Sequence, residues 1–162
     1  MKALLVIDVQ DEYMKRYDEN LLAGINQRIR YFSEHQQLII YIQNVKKLRS
    51  GKVVSKLAKE LIVFSPYILR KESASAFSND ELQSLLEAEK VTEIEIVGVD
   101  GCACVAASAV DAQKMGYKVL LPCNCIGVQN KERFEKKKQS LQALDGVIIS
   151  EKVVVLLTDE RK

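Results

Sequence analysis

The chain has 162 residues, of which 48% are hydrophobic, 28% charged and four are cysteine, with a formal net charge of +2. That length suffices for one domain burying roughly 70% of its unfolded surface, so stability does not call for disulfides. The basic residues are spread along the chain rather than gathered into an arm, which excludes the footprint of a nucleic-acid binder, and no stretch approaches the roughly 18 to 20 apolar residues of a membrane span.

In chain order, residues 3–7 are a continuous apolar run, the pattern of a strand covered on both faces of a parallel sheet. The same opening segment, KALLVIDVQDEY, carries Asp8 where the hydrophobic region of a signal peptide would continue, so a cytoplasmic protein with reduced thiols is expected. Leu22, Ile25, Ile29 and Phe32 recur at helical spacing and predict a helix over 21–32, followed by a second strand over 38–42. Residues 43–69 are less periodic and hold the basic loop KKLRSGK and a turn signal at Ser65-Pro66. Asn79 or Asp80 caps a helix running through Leu86, and a third strand follows over 94–97. A helix over 103–115, a strand over 117–121, a charged helix over 131–144 and a strand over 147–149 complete the alternation. The tail segment KVVVLL fits a strand by composition and a helix by position. Strands alternating with helices imply a single α/β domain over 1–162: three layers, α/β/α, around a mainly parallel, Rossmann-like sheet. Ligands of such sheets bind at the carboxyl ends of the strands.

Three reactive residues fall at such ends. Cys104 lies in the first turn of its helix, where unpaired N–H groups and the helix dipole favour thiolate, an environment that brings a cysteine pKa from about 8.5 down to roughly 3.5 to 7.5. The same groups suit a developing oxyanion; the alternative for Cys104 is a small buried residue among alanines. Asp8 ends an apolar strand, where a carboxylate is costly to bury unless paired or functional, although an Asx turn or a helix cap would also explain it. Beside a cysteine it can take the thiol proton and return it to a leaving group. Lys71, in the loop before the Asn79 helix, would hold Asp8 ionised; its alternative is a solvated lysine between Arg70 and Glu72.

Three segments carry a family resemblance. LLVIDVQDEY resembles the opening strand of the isochorismatase-like cysteine hydrolases, KESASAFSNDEL resembles their lysine segment, and IVGVDGCACVAASAVDAQKMGYKV resembles their nucleophile segment, in the same order. The resemblance implies Asp8 as general base and acid, Lys71 as its electrostatic partner and Cys104 as nucleophile. The activity it implies is hydrolysis of a small-molecule amide or ureido C–N bond through an acyl enzyme. It further implies a cis Val99–Asp100 peptide, an oxyanion hole from the N–H groups of Asp100 and Cys104, Gln10 bracing the site, Tyr13 and Phe77 lining the pocket, and a homo-oligomer, dimer or tetramer. Nicotinamidases of this family hold a metal with one aspartate and two histidines. This chain has one histidine, His35, at the predicted end of the first helix, so no metal and no cofactor is expected. True isochorismatases do not depend on the cysteine, and the presence of Cys104 favours amide chemistry over that alternative.

Cys102, Cys123 and Cys125 leave other readings open. C-x-C followed by a second C-x-C could gather four thiolates around zinc, giving a non-catalytic module on the same fold, although C-x-C is tighter than the usual spacing. A regulatory disulfide among these three, or plain packing, are the other choices. The basic loop over 46–52 is either a solvated loop or a lid that meets an acidic group.

Overall fold

The computed structural model describes residues 1–151. The tail segment KVVVLL lies outside the described residues. Strand β1 (Lys2–Ile7) runs into a short helix α1 (Asp11–Met14) and then α2 (Leu21–Glu34), which returns the chain to β2 (Leu38–Asn44). A hairpin of β3 (Lys46–Leu48) and β4 (Gly51–Val53) precedes β5 (Ile68–Lys71), α3 (Asp80–Ala88) and β6 (Glu93–Val99). Helix α4 (Cys104–Lys114), β7 (Lys118–Pro122), β8 (Ile126–Gly127), α5 (Lys131–Gln142) and β9 (Val147–Ser150) complete the order. Among the described residues the main sheet runs β5-β2-β1-β6-β7-β9 with every pairing parallel, and β8 adds to β6 beyond the end of β7. No helix of the described residues is long and apolar enough to cross a membrane.

Helices cover both faces, which is why β1 reads as one unbroken apolar run. Its side chains alternate: Ala3, Leu5 and Ile7 meet α3, α4 and α5 through Leu82, Leu86, Val105, Ala109 and Leu141, while Leu4 and Val6 meet α2 through Ile25, Ile29 and Phe32. The α2 face also buries an ion pair, Arg28 on α2 with Glu95 on β6, bonded twice at 2.6 and 2.7 Å. Two parallel hydrogen bonds compensate the loss of water at both charges.

The structure departs from the sequence reading in one region that matters. Lys71 is the last residue of strand β5, not part of a loop. Edge position explains the miss: Ile68 and Arg70 are exposed and Leu69 only half-buried, so the segment lacks the apolar run of the central strands. The basic loop is the β3–β4 hairpin, tied down by Lys47 and Lys52 to Glu72 at 3.4 and 3.0 Å and by Lys46 to Glu12.

Close approach of β6 to β1 depends on Gly98. A Cβ there would lie 2.1 Å from the carbonyl oxygen of Ile7, and the residue has a φ of +121°. Replacing Gly98 by alanine is therefore expected to cost more than about 3 kcal/mol in urea unfolding. Gly116→Ala, whose φ is +94° but whose added Cβ meets nothing within 4 Å, should cost only about 1 to 2 kcal/mol. For the buried pair, Arg28→Met alone should lose about 3 to 5 kcal/mol by stranding Glu95, and Arg28→Met with Glu95→Met should recover most of it in the same measurement.

Candidate active site

The three residues picked out in the sequence meet at the carboxyl end of the sheet. Asp8 follows β1 with a left-handed φ of 55°, a conformation aspartate tolerates better than most residues, and this ends the strand and leaves the residue 4% exposed. Lys71 ends β5 on the far side of β2, and its extended side chain, 1% exposed, reaches back over that strand. Its Nζ lies 3.2 Å from Asp8 Oδ2 and 3.4 Å from Cys104 Sγ. Cys104 is the first residue of α4 and is half-buried.

Local structure fixes each of these groups. The ammonium also donates to Asn44 Oδ1 at 3.1 Å and to the Ser73 carbonyl at 3.2 Å. Asn44, the last residue of β2, is held in turn by Gln10: its N–H donates to Gln10 Oε1 at 2.7 Å, and Gln10 Nε2 donates to the carbonyls of Asn44 and Ser55. Gln10 is fully buried, and through Asn44 it braces Lys71. Tyr13 joins the same group, its hydroxyl accepting from Asn44 Nδ2 at 3.0 Å. On the other side, fully buried Ser108 donates to the Cys104 carbonyl at 2.7 Å and accepts from the Ala76 N–H at 2.9 Å, tying the start of α4 to the turn that follows β5.

Asn44 and Ser108 were missed in the sequence. Asn44 carries the same signal as Asp8, a polar residue closing an apolar strand. Ser108 carries none, being a small residue in an alanine-rich helix.

The electrostatics reverse one expectation. Burial pushes the Cys104 thiol up to about 11, with the Asp8 charge adding to it and Lys71 opposing. The helix N-terminus does not produce a resting thiolate here, because desolvation and a neighbouring carboxylate outweigh it. Asp8 is likewise raised above the usual carboxylate range, by burial, against the pull of Lys71. Its second oxygen, Oδ1, is buried with no hydrogen-bond partner among the described residues.

The Val99–Asp100 peptide is cis. Among the described residues the backbone N–H groups of Asp100 and Cys104 have no protein acceptor, which leaves both free for a ligand oxygen. Phe77 is placed differently from the sequence expectation. Its ring is buried in the core and stacks on Tyr117 with centroids 6.4 Å apart. Tyr117 stands just before β7, at the amino end of the sheet, and the turn carrying Phe77 is drawn inward by the Ala76–Ser108 hydrogen bond. Phe77 therefore packs in the core.

Nor do the four cysteines gather. Cys125 packs in the α2-side core, whereas Cys102, Cys104 and Cys123 pack against the opposite one, and all four are free thiols. The four-thiolate zinc module is thereby corrected: the sheet separates its ligands. His35 caps the carboxyl end of α2, with Nδ1 at 2.8 Å from the Tyr31 carbonyl. That helix leads into the start of β2, so His35 sits at the edge of the sheet opposite Asp8.

The sequence model of the Isochorismatase domain matches residues 2–152. The chain is 27% identical over 93% of its length to the isochorismatase family protein YaaI of Bacillus subtilis, 92% of which is covered. It is 29% identical over 51% of its length to maleamate amidohydrolase of Pseudomonas putida, 39% of which is covered. Among solved structures, pyrazinamidase of Pyrococcus horikoshii in complex with zinc superimposes with a TM-score of 0.77 at 25% identity, covering 91% of this chain and 97% of that one. The single histidine of this chain lies at the end of the sheet opposite Asp8, and no group of three His, Cys, Asp or Glu side chains that could hold an ion together occurs among the described residues. The parallel sheet, its helical layers and the match over nearly the whole chain make this protein a member of the isochorismatase family of hydrolases.

Proposed function

We propose that the protein is a small-molecule amidohydrolase that works through a covalent acyl enzyme on Cys104. The observation that carries this reading is the buried ammonium of Lys71, within 3.2 Å of Asp8 and 3.4 Å of the Cys104 sulfur. The likeness to maleamate amidohydrolase and to pyrazinamidase supports an amide as the bond cleaved.

In the resting site Asp8 is ionised and Cys104 is a thiol. Asp8 Oδ1, which has no other partner, accepts the thiol proton as sulfur attacks the carbonyl carbon. The new C–S bond moves the carbonyl π pair onto oxygen, which rests on the N–H groups of Asp100 and Cys104. Lys71 balances the charge that passes between Asp8 and sulfur. The C–N bond then breaks as Asp8 returns the proton to nitrogen, and ammonia or an amine departs. Water, deprotonated by Asp8, attacks the thioester; the C–S bond breaks, sulfur regains its proton, and the acid is released. Gln10, Asn44 and Tyr13 support Lys71 rather than touch the reacting atoms.

Ammonia release from a panel of primary amides, with maleamate, pyrazinamide and nicotinamide as probes, tests the reading. Cys104→Ala should lose about 10⁴-fold or more of the turnover while circular dichroism and thermal unfolding stay as in the parent. Undiminished hydrolysis by that variant would refute the covalent route. The pH profile follows from the sign of the two shifts. The working site holds one proton between Asp8 and Cys104, so kcat/KM should rise as Asp8 ionises, with its midpoint above the usual carboxylate range, and fall again near pH 11 as the thiol is lost. A profile still rising through pH 11, or an acid limb at the ordinary carboxylate value, would contradict this proton inventory.

A further inference from the structure

We propose that Tyr17 is a positioning residue for the reaction: its hydroxyl clamps the Asp100 carboxylate, so that the Asp100 N–H keeps its aim at the developing oxyanion. The inference rests on the cysteine-hydrolase reading above and adds to it a residue that neither touches substrate nor belongs to the three groups meeting at the sulfur.

Every polar atom of Asp100 except its N–H has a partner among the described residues. Oδ1 accepts from the Cys102 N–H at 2.8 Å. Oδ2 accepts from the Tyr17 hydroxyl and from the Gln129 N–H, both at 3.1 Å. The carbonyl oxygen accepts from the N–H groups of Ala103 and Val105, each at 3.1 Å. Only the N–H of Asp100 is left over among the described residues. A residue pinned at both carboxylate oxygens and at its carbonyl cannot swing, and a donor that need not reorient during the reaction stabilises charge best.

Four of those five donors are backbone groups, present whatever the sequence. Tyr17 is the one side chain in the clamp, and it arrives from another part of the fold, the loop between α1 and α2. Its ring is seated by the β6–β8 ladder: a Cβ on Gly127 would fall 2.8 Å from Tyr17 Cδ1, and Gly127 pairs with Val99 and accepts from the Gly101 N–H at 2.9 Å. Gly127 thus makes room for the phenol immediately beside the Val99–Asp100 peptide. The phenol proton is well retained, since burial and then the Asp100 charge raise its pKa, with Cys104 acting in the same direction. The hydroxyl therefore remains a donor over the working pH range.

The test uses the full chain and carbon-13-labelled acetaldehyde. In the adduct, the Cys104 sulfur bonds to the aldehyde carbon and the carbonyl oxygen takes up the thiol proton, with nothing oxidised or reduced; that oxygen occupies the place of the oxyanion. Tyr17→Phe, read by carbon-13 NMR, should weaken the adduct about tenfold relative to the parent. Alkylation of Cys104 by iodoacetamide in mildly alkaline buffer, which attacks a methylene carbon and develops no oxyanion, should proceed at the parent rate. Equal adduct affinity in parent and Tyr17→Phe would overturn the clamp and leave the cysteine chemistry standing. A fall of adduct affinity and alkylation rate together would also overturn it, because the loss would then be one of general structure. An adduct that survives Cys104→Ala, or none in the parent, would overturn the nucleophile reading and this inference with it.

Discussion

One buried cation organises this molecule. The Lys71 ammonium is almost wholly out of water, and an unpaired charge there would be prohibitively costly. Asp8, the Asn44 side-chain oxygen and the Ser73 carbonyl surround it, and Cys104 completes the set. One ammonium balances one anion. A carboxylate and a thiolate present together would leave a net negative charge beside a single ammonium, which together with burial disfavours the thiolate of Cys104.

The elements that meet at that cation are far apart in sequence, and each is placed by a feature that admits little slack. Gly98 lets β6 lie against Ile7, the residue before Asp8. Ser108 joins the α4 backbone at Cys104 to the turn beyond Lys71. Gln10, buried between β2 and the segment carrying Ser55, fixes Asn44 and through it the lysine. The supports at Ser108 and Gln10 are hydrogen bonds of fully buried side chains, where geometry is enforced by the cost of leaving a partner unmet. The isochorismatase family hydrolase thus holds its reactive atoms with neutral polar residues that carry no chemistry of their own.

Much of this was legible in the sequence. The apolar run before Asp8 and the alternation of strands with helices gave the layers and the end of the sheet at which to look, because burial on both faces leaves a strong imprint on composition. Lys71 was found for its charge but assigned to a loop, since an edge strand needs only one covered side and shows no continuous apolar run. The thiol was expected to be acidic from its place at a helix start. Only coordinates reveal how deeply it is desolvated and how near the carboxylate stands, and those two effects set the sign. Phe77, which the family resemblance places at the pocket, packs in the core, where a buried serine draws its turn inward and the ring stacks on Tyr117. Ser108 and Tyr17 carry no signal of this kind, because their importance lies in whom they touch across the fold.

Strand β5 borders the sheet, paired to β2 and to no other strand of the described residues. Sheet margins fray before centres do, so the cation sits on the portion of the fold with the least cooperative protection. Loosening of the four residues at that margin would draw the Lys71 ammonium away from Asp8 and Cys104 while the hydrophobic interior is still intact.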